Sequence, residues 1–128
     1  MPDYILVVED DQNLAVTIGM VLEGEGYAIR IARNGRQALE AVAKQMPSLI
    51  ILDMLMPIMD GWEFSRELHL QYAHAAPILV VTAAENPTTR GLDVQASAVL
   101  AKPFDVQRLL DTVKRLIASQ PAASAELR

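Results

Sequence analysis

The chain of 128 residues contains no cysteine, which excludes a disulfide framework and any thiolate metal site. Nothing in it calls for an oxidising compartment, and a reducing cytoplasm is the expected location. No cluster of five or more Lys and Arg occurs, and the formal charge of −5 opposes contact with a phosphate backbone, so direct nucleic-acid binding is not expected. No run approaches the roughly 20 apolar residues of a membrane helix. The N-terminal "MPDYILVVEDD" sets acids close behind a short apolar run, without the basic region and long apolar stretch of a signal peptide. A soluble protein with no membrane partner is expected. Nucleotide-binding loops are missing too: "GEGYAI" follows a helix and lacks a third glycine, and there is no GxxxxGK[ST].

What is present is globular. Hydrophobic residues make up 52% and charged residues 21%, too apolar for a disordered chain of this modest charge. The length suits one domain, expected over residues 1–119, and the loop-like composition of "SQPAASAELR", which begins at Ser119, marks a flexible tail or linker stub over 120–128. Four apolar runs, Tyr4 to Val8, Leu49 to Leu52, Ile78 to Val81 and Ala98 to Ala101, predict strands buried on both faces. Tyr27 to Ala32 alternates and suits a sheet edge.

Helical stripes lie between the strands. Leu14, Ile18, Val21 and Leu22 mark the first, and Leu39, Val42, Ala43 and Met46 the second. Gly61 to Tyr72 gives a third with Phe64 and Leu68 inward. Val106, Leu109, Leu110, Val113, Leu116 and Ile117 mark the last, with Asp105 as its N-cap and Pro121 just beyond its end. The segment Ala84 to Val94 predicts a short or frayed helix, because Pro87, two threonines and Gly91 lower its propensity. Strands alternating with helices five times require right-handed crossovers and an open parallel α/β sheet.

Sites in such sheets form outside the carboxyl ends of the strands. Glu9 and Asp10 follow the first strand, Asp53 closes the third, Thr82 the fourth and Lys102 the fifth, so all five fall at one edge. Asp53 alone reads as a strand-end cap, and Thr82 and Lys102 alone are unremarkable; their shared edge favours chemistry. Three converging carboxylates are unfavourable unless a cation balances them or one is protonated. Mg²⁺ is the natural hard cation for oxygen ligands that must also leave room for waters and substrate oxygens. Met54, Met56 and Met59 read as packing around the site, and His69 and His74 as exposed residues without ligand spacing.

The blocks "YILVVEDDQNLA", "GYAIRIARNGRQALE", "LIILDMLMPIMDGWE", "VVTAAE" and "AKPF", in that order and spacing, resemble the receiver domains of two-component response regulators. The resemblance runs from about Tyr4 to Ile117. It implies a flavodoxin-like (βα)5 three-layer sandwich with a five-stranded parallel sheet of order 2-1-3-4-5. It also implies that Asp53 accepts a phosphoryl group from a histidine kinase or histidine phosphotransfer protein. On the same resemblance Glu9 and Asp10 hold Mg²⁺ together with Asp53 and the backbone carbonyl of Leu55. Thr82 and Lys102 contact the phosphoryl oxygens, and Lys102–Pro103 matches the family's cis peptide. Phosphorylation would then remodel the face of the fourth helix, fifth strand and fifth helix for an output domain, a downstream protein or a phosphorylation-dependent dimer. The chain departs from the pattern at Val99, which stands where the family carries a switch aromatic; a valine cannot report by ring burial.

Two other functions fit parts of the pattern. A small Mg²⁺ phosphohydrolase would need a second Asp two residues after the nucleophile, where this chain has Leu55. A receiver-like interaction module that is never phosphorylated would have no need of the five polar residues at the strand edge. The expectation is therefore a signalling domain that catalyses only its own phosphorylation and dephosphorylation.

Overall fold

The computed structural model describes residues 3–83 and 94–119. Five strands, β1 (Ile5–Val8), β2 (Ile29–Ala32), β3 (Leu49–Leu52), β4 (Ile78–Thr82) and β5 (Ala98–Ala101), form one sheet in the order β2-β1-β3-β4-β5. Every neighbouring pair is parallel, as the near-continuous apolar runs require. Among the described residues there are four helices, α1 (Gln12–Glu23), α2 (Gly35–Lys44), α3 (Gly61–Gln71) and α4 (Val106–Ala118). The helical segment expected over residues 84–94 lies outside the described residues except for Val94, which is buried. The tail over 120–128 lies outside them as well.

Alternation along each strand sends side chains to two cores. Leu6, Val8, Ile50, Leu52, Ile78 and Val80 pack with Ala38 and Val42 of α2 and with Phe64 and Leu68 of α3. Ile5, Val7, Leu49, Ile51, Leu79 and Val81 pack on the opposite face with Ile18 and Leu22 of α1 and with Leu109, Val113 and Leu116 of α4. The three layers follow from right-handed crossovers: the β1-to-β2 connection runs one way across the sheet, while those from β2 to β3 and from β3 to β4 run the other.

Several sequence expectations change in detail. β1, β3 and β4 are fully buried, but β5 is not, with Ala98 and Val99 half-buried and Ala101 exposed, because it is an edge strand. In α2 the buried stripe is Gly35, Ala38 and Val42; Ala43 is exposed and Met46 lies past the helix end at Lys44. In α4 the first stripe residue, Val106, is 47% exposed, since it sits at the helix start beyond the reach of the sheet.

Each helix begins on a polar cap whose carboxylate or amide oxygen accepts an otherwise orphaned backbone N–H. Asp11 accepts from Leu14, Asn34 from Gln37, Asp60 from Glu63 and Asp105 from Gln107, at 2.9–3.2 Å. These caps set where the helices start relative to the strand ends, and so fix the loops on which the polar edge residues stand.

Candidate functional site

β1 and β3 are adjacent, yet their connections leave in opposite directions, which opens a crevice at their carboxyl ends. Glu9 is the first residue after β1 and Asp53 the first after β3. Their backbones are held by the ladder: Glu9 N–H donates to Ala32 O at 3.0 Å and Asp53 N–H to Val8 O at 3.0 Å. Carboxylate oxygens of Glu9, Asp10 and Asp53 lie within 4.8 Å of one another. Glu9 is 1% exposed and Asp53 5%, so two of these acids are removed from bulk water.

Lys102, directly after β5, reaches across this cluster. Its Nζ lies 3.0 Å from Glu9 Oε1 and 3.7 Å from Asp53 Oδ1, the two ion pairs found among the described residues. The remaining oxygen of Glu9, Oε2, accepts the Asp11 N–H at 3.1 Å. The Leu55 N–H approaches Asp53 Oδ1 at 3.5 Å, while the Leu55 side chain is 57% exposed. Thr82 is fully buried at the end of β4, and its carbonyl accepts the Lys102 N–H at 2.9 Å. The Lys102–Pro103 peptide is cis.

Crowding has an electrostatic consequence. Burial first, and the neighbouring Glu9 carboxylate second, push the Asp53 carboxyl up to about 7, against the opposing pull of Lys102. Without a further cation, the cluster therefore resists full ionisation near neutral pH.

The loop from Asp53 to Gly61 is closed on itself and on α2. Gly61 N–H donates to Met54 O at 2.9 Å, and Gly35 N–H to Met59 O at 2.9 Å. Both glycines are required by close approach: a Cβ on Gly61 would stand 2.7 Å from Met54 Sδ and 2.9 Å from Met54 Cα, and one on Gly35 2.6 Å from Met59 Cγ. Met54, Met56 and Met59 belong to the core around this loop, the packing role their sequence context suggests. His69 and His74 are exposed. Sequence reasoning missed the Gly35 tether, whose only sequence signal is a glycine directly after the Asn34 cap. It also missed the closer partnership of Lys102 with Glu9 than with Asp53, which depends on rotamers that spacing does not reveal.

The sheet order and the acidic crevice at its switch point place this chain in a known class. The sequence profile of the response regulator receiver domain matches residues 5–114, and the chain belongs to that family. It is 38% identical over 119 residues to the response regulator MprA of Mycolicibacterium vanbaalenii, covering 91% of this chain and 51% of that protein. It is 35% identical over 119 residues to the response regulator ArlR of Staphylococcus saprophyticus, covering 91% and 53%. The chain thus spans about half the length of these relatives.

Solved structures agree. The signal receiver domain of a signal transduction histidine kinase from Syntrophus aciditrophicus superimposes with a TM-score of 0.84 at 34% identity, over 93% of this chain and 92% of that one. The response regulator TrrA of Thermotoga maritima, solved in complex with Mg²⁺-BeF, gives 0.80 at 31% identity over 90% and 99%. The chain is a receiver domain of the two-component type, and its described helices include none long and apolar enough to cross a membrane.

Proposed function

We propose that Asp53 is the phosphoacceptor of a phosphorelay. A carboxylate oxygen of Asp53 attacks, in line, the phosphorus of an N-phosphohistidine on a histidine kinase or histidine phosphotransfer protein. The P–N bond breaks, the imidazole leaves with the electron pair and takes up a proton, and an aspartyl phosphate remains. The observation that carries this reading is the Lys102 ammonium 3.7 Å from an Asp53 carboxylate that lies within 4.8 Å of two further acids.

The donor set fits Mg²⁺. Three carboxylates and one ammonium sum to a formal −2, which a divalent cation cancels, and all the side-chain donors are hard oxygens. Glu9 already engages one oxygen with Lys102 and the other with the Asp11 N–H, so it would serve the ion as an outer carboxylate. Asp10, Asp53 and the Leu55 carbonyl would be the protein groups that hold the ion directly. When bound, the ion supplies positive charge against the equatorial oxygens of the transferring group. Lys102 and the Thr82 hydroxyl hold the remaining phosphoryl oxygens.

The signal leaves through the face of β5 and α4, toward an output domain, a downstream protein or a second copy. Val99 and Pro103 lie on this route. Val99 is a half-buried valine in β5, so readout proceeds by backbone and packing shifts rather than by an aromatic ring. The domain works in the cytoplasm and has no turnover beyond its own phosphorylation and dephosphorylation.

Treatment with acetyl phosphate and Mg²⁺ will add one phosphoryl group, read by intact mass, and Asp53→Asn will abolish it. Persistence of the adduct in the variant, or its absence from the parent chain, overturns the assignment.

A further inference from the structure

The loop that carries Asp53 contains a backbone outlier that the turn alone does not explain. Ile58 has φ of +70, in the left-handed region where an L side chain with a branched Cβ is a genuine outlier. The Met59 N–H donates to the Pro57 carbonyl at 2.7 Å, closing a three-residue turn about Ile58, and positive φ marks the rarer, strained form of that turn. The turn has a structural purpose, since it presents the Met59 carbonyl to the Gly35 N–H and lays Met59 on the glycine. Glycine or asparagine would make the same turn without the branched-chain strain. The isoleucine side chain gains no compensating burial either, being 75% exposed.

A strained backbone and an exposed apolar side chain are both unfavourable for the isolated domain, and they coincide at one residue. Such outliers persist where the site uses them. The same loop exposes Leu55 to 57%, so two large apolar side chains stand on the loop that begins at the buried Asp53 carboxylate. A macromolecular phosphodonor must bring its phosphorus to that carboxylate, and its body then covers the loop.

We infer that Ile58 is a docking and specificity residue for the protein phosphodonor, pressing with Leu55 against a surface that presents a phosphohistidine ringed by apolar side chains. This rests on the phosphoacceptor reading of Asp53. A small donor such as acetyl phosphate has no such body and does not use the contact.

The test compares the parent with Ile58→Gly, Ile58→Asn and Ile58→Leu. Each is assayed with acetyl phosphate and with the autophosphorylated core of the histidine kinase that labels the parent fastest in a panel of purified kinase cores. Ile58→Gly and Ile58→Asn will melt a few degrees higher as the strain is relieved. They will accept from acetyl phosphate within about twofold of the parent, yet accept from the kinase about tenfold more slowly, through a raised KM. Ile58→Leu will keep most of the kinase rate. Parental transfer from the kinase to the Gly and Asn variants overturns the inference, as does an equal loss with both donors, which would assign Ile58 to loop geometry alone. If acetyl phosphate fails to label the parent itself, it is the role of Asp53 that falls.

Discussion

Asp53 is held in a tension that its own neighbours create. Burial and Glu9 raise its carboxyl to about 7, and Lys102 draws it back only in part because its ammonium sits closer to Glu9. The unfolded chain releases the same proton near 3.8. Between these values the folded state holds a proton that the unfolded state has lost, so the stability this group contributes is complete below about 3.8 and disappears as pH rises through about 7. Urea midpoints of the metal-free protein should therefore fall across this window. Asp53→Asn should remove that part of the slope, so that the variant gains on the parent more at pH 8 than at pH 4. Equal differences at the two pH values would mean that Asp53 ionises without strain. Of the residues around this tension, the strand-end acids and the lysine were legible in the sequence because each closes an apolar run. The order of preference of Lys102 was not, since a 0.7 Å difference between 3.0 and 3.7 Å is decided by packing.

At the scale of elements, capping and close packing place the loops. The cap at Asp105 was readable from a polar residue before an apolar stripe, and α3 with Phe64 and Leu68 inward follows its 3.6-residue period. Ala43 and Val106 departed from their stripes because periodicity says which side of a helix is apolar but not where the helix stops touching the sheet. Gly61 shows how an element start controls the site. Its missing Cβ lets the first turn of α3 rest on the backbone of Asp53 and Met54, with Asp53 O only 3.1 Å from where that Cβ would be. Gly61→Ala is expected to cost about 1–3 kcal/mol in chemical denaturation and to slow labelling by acetyl phosphate, because the backbone behind Asp53 must shift. An unchanged denaturation midpoint would show that the loop can yield without cost.

For the whole molecule, the acidic crevice exists only in the folded state, so any ion that binds there must stabilise the fold, by an amount that grows with the logarithm of its concentration over its dissociation constant. Mg²⁺ at about a hundred times its dissociation constant would add roughly 2.7 kcal/mol. Thermal melts should show an upward shift with Mg²⁺ in the parent and little in Asp10→Ala. Equal shifts in both would place the ion elsewhere. The effect should also be strongest above neutral pH, where protons compete least for Asp53.

By itself the sequence determined the class of this protein: apolar runs without alternation demand a sheet covered on both faces, and helices between them demand parallel strands, so polar residues closing those runs must share one edge. The crevice geometry was decided only by tertiary structure. Strand order put β1 beside β3 although 40 residues separate Val8 from Leu49, and burial on both sides turned ordinary carboxylates into a cluster that favours a cation. The left-handed turn that leaves Ile58 exposed belongs to the same level. Proximity across a sheet, loss of water and backbone strain depend on distances that no local pattern of residues contains.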